Sequence, residues 1–183
     1  MRRGYTQADF RMYHPRNFAI LAVSLALLAA GCSRSADAQP KLGKTVSACA
    51  ALSQADAVSV LGGDVTVTTG PEATQPDGSL YVSNCAFSSD EARSANVLIR
   101  QAADAGSIKR QFADARAAVP GIYSVAPQDV PGLGDAAFWV GGSASQLNVL
   151  KGGRWVTIIV LALKSDDRLA IAKNTASAIL KGF

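Results

Sequence analysis

The side chains that could carry out nucleophilic catalysis lack a base to activate them. The chain of 183 residues has a single histidine, His14, which lies before the first apolar run, in a segment interpreted below as a leader. Serine–histidine catalysis, cysteine–histidine catalysis and histidine-based zinc sites are therefore excluded for the mature chain. The GxSxG, SxxK and GxxxxGK motifs of hydrolases and phosphate-binding loops do not occur in the sequence either.

Two pairs of adjacent carboxylates, Asp90-Glu91 and Asp166-Asp167, are the remaining candidates for acid–base chemistry. Paired carboxylates can share such work when burial separates their pKa values. Both pairs fall at a predicted turn or helix start, where a solvated side chain that caps the backbone is the commoner role. We therefore predict that the chain is not an enzyme and uses no cofactor, and keep a carboxylate enzyme as a third alternative.

The segment Gly132–Ala137 formally fits GxGxxA, the fingerprint of dinucleotide-binding folds. That fingerprint needs a strand before it, a helix after it and an acidic residue about 20 positions further on. Here Pro131 precedes the segment, and Phe138–Val140 follows with the composition of a strand. We predict a turn in which glycine supplies a positive φ.

The N-terminus has the layout of a secretory leader. A basic segment leads into Phe18–Ala30, thirteen uncharged and mostly apolar residues, whereas a membrane-spanning helix needs roughly 20. The small residues before Cys32 resemble a bacterial lipobox, in which the cysteine thiol receives a diacylglycerol; a buried cysteine in an apolar helix is the alternative. We expect residues 1–31 to be a lipoprotein signal peptide, started at Met1 or Met12, and Cys32 to be lipidated.

Acylation of Cys32 would make the membrane a partner of this chain, because two or more acyl chains give stable anchoring. We expect an exported protein, lipid-anchored to the cell envelope. Ser33, directly after the cysteine, resembles the residue at this position in lipoproteins that are sorted to the outer membrane. If the source is Gram-negative, the anchored protein would lie on the outer membrane and face the periplasm. Residues 32–45 lack apolar periodicity and are predicted to be a flexible tether, and residues 46–183 a single domain.

The two remaining cysteines, Cys49 and Cys85, are predicted to form a disulfide, because an even pair in an exported domain is most simply bridged. Closing the loop between them would contribute about 3.8 kcal/mol through chain entropy. Metal binding is the alternative, but the mature chain offers no histidine to complete such a site.

The formal net charge of +4 comes mainly from the leader. Without residues 1–31, 14 basic and 13 acidic side chains remain, so the mature chain is nearly neutral. A neutral domain lacks the basic surface that nucleic-acid binding requires, and we expect no nucleic-acid partner.

Hydrophobic periodicity predicts three helices and a set of short strands. The predicted helices are Gln54–Leu61 between Ser53 and Gly62-Gly63, Asp104–Val119 ended by Pro120-Gly121, and a C-terminal helix capped by Ser165 with Asp166 and Asp167 in its first turn. The predicted strands are Asp64–Thr69, Leu80–Phe87, Ala95–Gln101, Tyr123–Ala126, Ala137–Val140, Gln146–Leu150 and Arg154–Leu163. Gly70–Ser79 is predicted to be a loop because of its prolines and Asp77-Gly78.

These elements predict an α+β fold, an antiparallel β-sheet flanked by helices in an α/β/α sandwich. The apolar run in Arg154–Leu163 should lie centrally, with both faces covered. Trp139 and Trp155 fall in strands; they could line a surface for a ligand or partner, but core packing is the favoured role.

Short motifs resemble one family of small bacterial lipoproteins. These are Cys49 before a short helix and a Gly-Gly stop, Asn84–Phe87, Pro131–Trp139 and the C-terminal amphipathic helix. Together they are similar to LpqN-like lipoproteins of unknown function with a PsbP-like fold. The resemblance covers about Ala48–Phe183 and implies an antiparallel sheet between helices, with no catalytic residues.

Two functional hypotheses follow. The first is a lipid-anchored, non-enzymatic envelope protein that binds an envelope protein partner or assists assembly, since a tether and a small neutral domain suit that role. The alternative is a carrier of a small molecule or lipid, with an apolar pocket between sheet and helices.

Overall fold

An antiparallel sheet of seven strands is the frame of the fold in the computed structural model, which describes residues 41–163 and 166–183. The strands are β1 (Val65–Thr74), β2 (Leu80–Ser89), β3 (Ser94–Ala102), β4 (Gln128–Asp129), β5 (Ala136–Val140), β6 (Gln146–Lys151) and β7 (Arg154–Leu161). Their spatial order is β1-β2-β3-β7-β6-β5-β4. The predicted signal peptide and Cys32 lie outside the described residues.

Helices cover both faces of this sheet. They are α1 (Ala48–Ala51), α2 (Gln54–Leu61), α3 (Ala105–Tyr123) and α4 (Arg168–Leu180). Helices α1, α2 and α4 pack on one face and α3 on the other, which confirms the α+β fold with a sheet flanked by helices. None of the helices in residues 41–163 and 166–183 combines the length and the hydropathy that crossing a bilayer requires.

The larger core lies between the sheet and α4. Alternate strand residues, such as Val97 on β3 and Ile158 on β7, point to this face and belong to the same buried core as Ala176 and Ile179 of α4. Strand β7 lies between β3 and β6, and four consecutive residues of it are buried from Trp155 onward. The predicted central position of this strand is confirmed.

The smaller core lies under α3 and covers only part of the second face. Ile108 and Phe112 of α3 pack on the sheet, and the Phe112 ring meets Phe138 and Trp155 edge-on at centroid distances of 5.0 and 5.9 Å. On the same face of β2 and β3, Asn84 instead donates a hydrogen bond of 2.8 Å to Asn96, and both are half-buried. Helix α3 therefore packs over β3 and β7, and its apolar partners extend to β5 and β6, whereas the Asn84–Asn96 pair is not part of this core.

The predicted Cys49–Cys85 disulfide is confirmed, with the two Cα atoms 5.1 Å apart. It joins α1 to β2. The chain just before α1 also contacts the sheet, because the Lys44 carbonyl accepts hydrogen bonds from Gln101 and Arg154.

The loop predicted for Gly70–Ser79 is wrong in its first half, where β1 continues to Thr74. The pairing with β2 shifts register between Thr69 and Glu72, and Pro71 lies within this irregularity. Because β1 is an edge strand with one neighbour, a proline without an N–H group is tolerated there.

The predicted end of the long helix at Pro120-Gly121 is also wrong. Helix α3 runs to Tyr123, and Ser124 in the left-handed region ends it, with its N–H donating to the Pro120 carbonyl over 3.1 Å. Proline removes one N–H group but leaves its own carbonyl free to accept, so a further turn can form. Tyr123–Ala126 is consequently not a strand, and β4 begins only at Gln128.

The N-terminus of α4 differs from the prediction by two residues. Asp167 is the N-cap, since its carboxylate accepts a 3.0 Å hydrogen bond from the Ala170 N–H group, and Asp166 precedes the helix. Ser165, the predicted cap, lies outside the described residues.

Candidate functional site

A groove of about 300 Å³ opens between the C-terminal half of α3 and the sheet. Its walls are Ala115, Ala118 and Ile122 of α3 and Leu98, Trp155 and Ile159 of β3 and β7. Small residues on the helix leave room above the sheet, and the buried rings of Phe138 and Trp155 close the inner side. The outer side reaches solvent, since Ile122 is 67% exposed.

One charged side chain, Arg100, lines this apolar groove. Arg100 and Trp155 are register partners on neighbouring strands, and the guanidinium carbon lies 4.4 Å from the indole centroid. Burial lowers the pKa of Arg100, because the charged form loses hydration. Within residues 41–163 and 166–183, no carboxylate forms an ion pair with it.

The inner end of the groove carries a directed chain of hydrogen bonds. Arg100 Nη1 donates to Thr157 Oγ1 over 3.3 Å, and Thr157 Oγ1 in turn donates to Asn148 Oδ1 over 3.1 Å. The same Oδ1 accepts from Trp155 Nε1 at 3.1 Å. The Thr157 hydroxyl oxygen already accepts from Arg100 and the indole N–H group can only donate, so the Asn148 carbonyl oxygen faces Thr157 and Trp155. Its amide nitrogen points away and has no hydrogen-bond partner in the described part of the chain.

Most of the N–H donors of Arg100 have no acceptor among the described residues. A guanidinium has five N–H donors in a fixed fork. The single hydrogen bond that Arg100 makes to described residues, to Thr157, satisfies one of them. The groove thus presents a half-buried cation beside apolar walls, and most of the cation's N–H donors are not paired with described residues.

The two tryptophans singled out from the sequence are both buried but are not brought together. Trp139 belongs to the core on the α4 side of the sheet, whereas Trp155 belongs to the core under α3 and borders the groove. Cys32, the predicted lipidation site, lies outside the described residues.

Both carboxylate pairs form hydrogen bonds that link segments of the domain to one another. Asp166 and Arg93 pair through two hydrogen bonds of 3.0 and 3.2 Å. This hydrogen bonding lowers the pKa of Asp166 and raises that of Arg93. Asp90 accepts the Asp64 N–H group at 3.0 Å, and Asp167 caps α4.

The glycine-rich segment forms a turn, as predicted. Gly132 and Gly134 have φ values of 76° and 65°, and strand β5 follows at Ala136 instead of a helix. The Asp135 carboxylate accepts the Gly152 N–H group at 2.9 Å and joins this turn to the β6–β7 hairpin.

A polar cluster near the disulfide joins the exposed Glu72 to the buried Tyr81 and Ser83. Glu72 accepts hydrogen bonds from Tyr81 (2.6 Å) and Ser83 (2.8 Å), and Ser83 accepts the Ala48 N–H group. The hydrogen bond from Tyr81 is the main cause of the lowered Glu72 pKa. Because Ser83 is buried beneath α1, the cluster fastens the β1–β2 hairpin to that helix.

Two other clefts lie at the start of α3 and beside α4, and internal bonds engage charged groups that line them. In the cleft at the start of α3, Asp104 caps the helix and also pairs with Arg110. In the cleft beside α4, Arg168 donates to the Ala162 carbonyl and to Ser145. No group of three His, Cys, Asp or Glu side chains in the described ranges could hold a metal ion.

Sequence reasoning missed Arg100, although one signal was available. Arg100 lies in the predicted strand Ala95–Gln101, two positions after Leu98, so the alternation places a charged side chain on the same face as an apolar one.

Comparison of the chain with protein-family models, with curated proteins and with solved structures found no match.

Proposed function

We propose that the chain is a non-enzymatic binding protein of the cell envelope, whose groove under α3 carries a small, largely apolar ligand. The observation that supports this proposal is the groove itself, with apolar walls, a buried inner end and an open outer side. Ligand sites are typically such clefts, starting at about 300 Å³, with a few polar groups that orient the ligand.

The export and lipid anchoring of the protein are part of the same proposal. The basic segment, the apolar run and the small residues before Cys32 support export and lipid anchoring. The motifs quoted above support a relationship to the LpqN-like lipoproteins with a PsbP-like fold. Replacing Cys32 with Ser should abolish acylation and release the chain from the membrane fraction, which fractionation and intact mass would report. Lipidation would be contradicted if the Cys32→Ser chain stayed in the membrane fraction and its mass differed from that of the wild type only by the substituted atom.

Binding in the groove is tested by native mass spectrometry of the protein gently extracted from its own membranes. We expect the wild-type spectrum to contain an extra mass of small-molecule size. Ala118→Trp should remove this mass, because Ala118 lines the groove and the indole would fill it. Ala117→Trp is the matched control, since Ala117 directly precedes Ala118 in α3 and is also exposed but does not line the groove.

The outcomes of this experiment separate the hypotheses. Loss of the extra mass in Ala118→Trp but not in Ala117→Trp supports the groove as the binding site. Equal retention in both variants would place the ligand elsewhere and contradict the proposal. A bare monomer in every spectrum would also count against a resident ligand.

A protein partner is the second candidate, and exposed apolar side chains favour it. Leu161 and Leu163, at the end of β7 and just beyond it, are 62% and 54% exposed. A photocrosslinker at Leu161 in intact cells should capture one neighbour of defined mass, whereas the same group at Val58 on α2 should not. Capture of no neighbour, or of the same neighbours at both positions, would refute this candidate.

A further inference from the structure

We infer that the ligand of the α3 groove is a single-chain aliphatic carboxylate whose head group binds Arg100. This inference rests on the proposed function, because it names the chemistry of the ligand that the groove carries.

The charge in the groove points to a monoanion. Arg100 is the one charged residue among the groove walls, and no described carboxylate pairs with it. A half-buried cation is costly unless an opposite charge accompanies it. A carboxylate brings one negative charge and balances the site, whereas a phosphate monoester carries close to two and would leave an excess in an apolar cleft.

The fixed orientation of the guanidinium favours a carboxylate head. Trp155 holds one face of Arg100 at 4.4 Å, and Thr157 engages one N–H group at 3.3 Å. The remaining donors lie in the plane of the fork, where a carboxylate can accept two parallel hydrogen bonds. The direction of the Thr157–Asn148 chain keeps the Asn148 carbonyl oxygen occupied, so it does not compete for these donors.

The walls beyond Arg100 suit an aliphatic chain. From the buried Trp155 the groove continues past Val119 to Ile159 and Ile122, which are 37% and 67% exposed. An aliphatic tail along these side chains would remove apolar surface from water on both partners, at about 25 cal/mol per Å². The volume of about 300 Å³ favours one short chain over a two-chain lipid.

Tryptophan fluorescence can report this binding, because the chain has two tryptophans and one borders the groove. In the full-length chain with Trp139→Phe, the signal comes from Trp155 alone. Titration with decanoate should change that signal and saturate. The neutral probe 1-decanol, with the same tail, should bind about tenfold or more weakly, since a hydrogen-bonded charge pair is worth about 1.5–3 kcal/mol.

Arg100→Met in the same background removes the charge and keeps an apolar stem. We expect the preference for decanoate over 1-decanol to fall to about twofold or less, while 1-decanol binding is retained. Arg110→Met is the matched control, because Arg110 lies on α3 outside the groove walls, and it should keep the full preference. Thermal unfolding of each variant checks that it is folded.

The outcomes distinguish the inferred carboxylate head group from the proposed binding function of the groove. Equal binding of decanoate and 1-decanol by the Trp139→Phe chain would overturn the carboxylate head group but leave an apolar binding groove. Tighter binding of decyl phosphate than of decanoate would likewise overturn it in favour of a phosphate head. Saturation by none of the three probes would refute the inference, and the native spectrum then decides the proposed function separately.

Discussion

At the scale of single residues, two glycines of one turn make different demands on the backbone. Gly132 and Gly134 both have positive φ, but a Cβ on Gly132 would meet no atom within 4 Å. A Cβ on Gly134 would lie 2.5 Å from the Leu150 carbonyl oxygen, which belongs to the neighbouring strand. The second glycine is therefore required both by conformation and by space.

We expect Gly132→Ala to lower the free energy of unfolding by about 1–2 kcal/mol, the cost of a left-handed residue with a side chain. Gly134→Ala should cost clearly more, because strand β6 must also move away. Urea denaturation of both variants measures the difference. Equal losses would show that the close approach to Leu150 relaxes without cost.

The disulfide is a second feature at this scale. Replacing Cys49 and Cys85 together with Ala should lower the free energy of unfolding by about 3–4 kcal/mol, because the unfolded chain regains the freedom of the closed loop. Denaturation of the double variant beside the oxidised wild type gives the value. The reduced wild type is the control and should lose a similar amount; an unchanged midpoint in both would contradict a stabilising bridge.

At the scale of elements, α3 continues through a proline in its last turns. Pro120 cannot donate to the Arg116 carbonyl, and Val119, Ile122 and Tyr123 around it line the groove. The helix therefore gives up one hydrogen bond in the turns that line the groove.

Pro120→Ala should raise the free energy of unfolding by about 1–2 kcal/mol. Alanine is about 3 kcal/mol better than proline inside a helix, and the greater freedom of the unfolded chain offsets part of this gain. Pro131→Ala is the control, because Pro131 precedes a turn outside any helix and its loss should destabilise slightly. Thermal and urea unfolding measure both, and a loss of stability in Pro120→Ala would contradict this account.

At the scale of the whole molecule, Arg93 joins segments that are distant in sequence. Its guanidinium donates to the Leu61 carbonyl at the end of α2, to Glu91 and to Asp166 before α4. One side chain between β2 and β3 thus links two helices on the same face of the sheet.

This link predicts a defined pH dependence. The pKa of Asp166 is lowered in the folded chain, so its stabilising contribution is fully present above the ordinary aspartate pKa of 3.8 and is lost as pH falls through the lowered value. We expect Asp166→Asn to be less stable than wild type at about pH 7, with the difference shrinking towards pH 2. Asp114→Asn, on an exposed face of α3, should show no such pattern. A difference that is constant with pH would contradict the ion pair as its cause.

Features set by local pattern could be predicted from the sequence. Ser53 as the N-cap of α2 accepts the Asp56 N–H group, as the near capping box predicts. The alternation around Val97 and the apolar run from Trp155 predicted the sheet and its central strand, because side-chain period and burial are local consequences of the pattern. The cysteine count predicted the disulfide.

Features that depend on what an element packs against could not be predicted in this way. Pro71 predicts a loop and Pro120 predicts the end of a helix. In the structure, Pro71 lies in an edge strand, and Pro120 lies in a helix whose next turn still has backbone acceptors. Local propensity is a small free energy, and tertiary contacts override it.

The sequence by itself determined the α+β class, the disulfide and the near-neutral charge of residues 32–183, since each follows from composition, spacing or period. Only the tertiary structure decided the groove. Arg100 and Trp155 are 55 positions apart in the sequence, and the register of β3 on β7 makes them neighbours. The position of α3 on the sheet is set where Ile108 and Phe112 find their apolar partners, among them Phe138 and Trp155. Register and helix placement arise from the free energy of the assembled core, which no local pattern encodes.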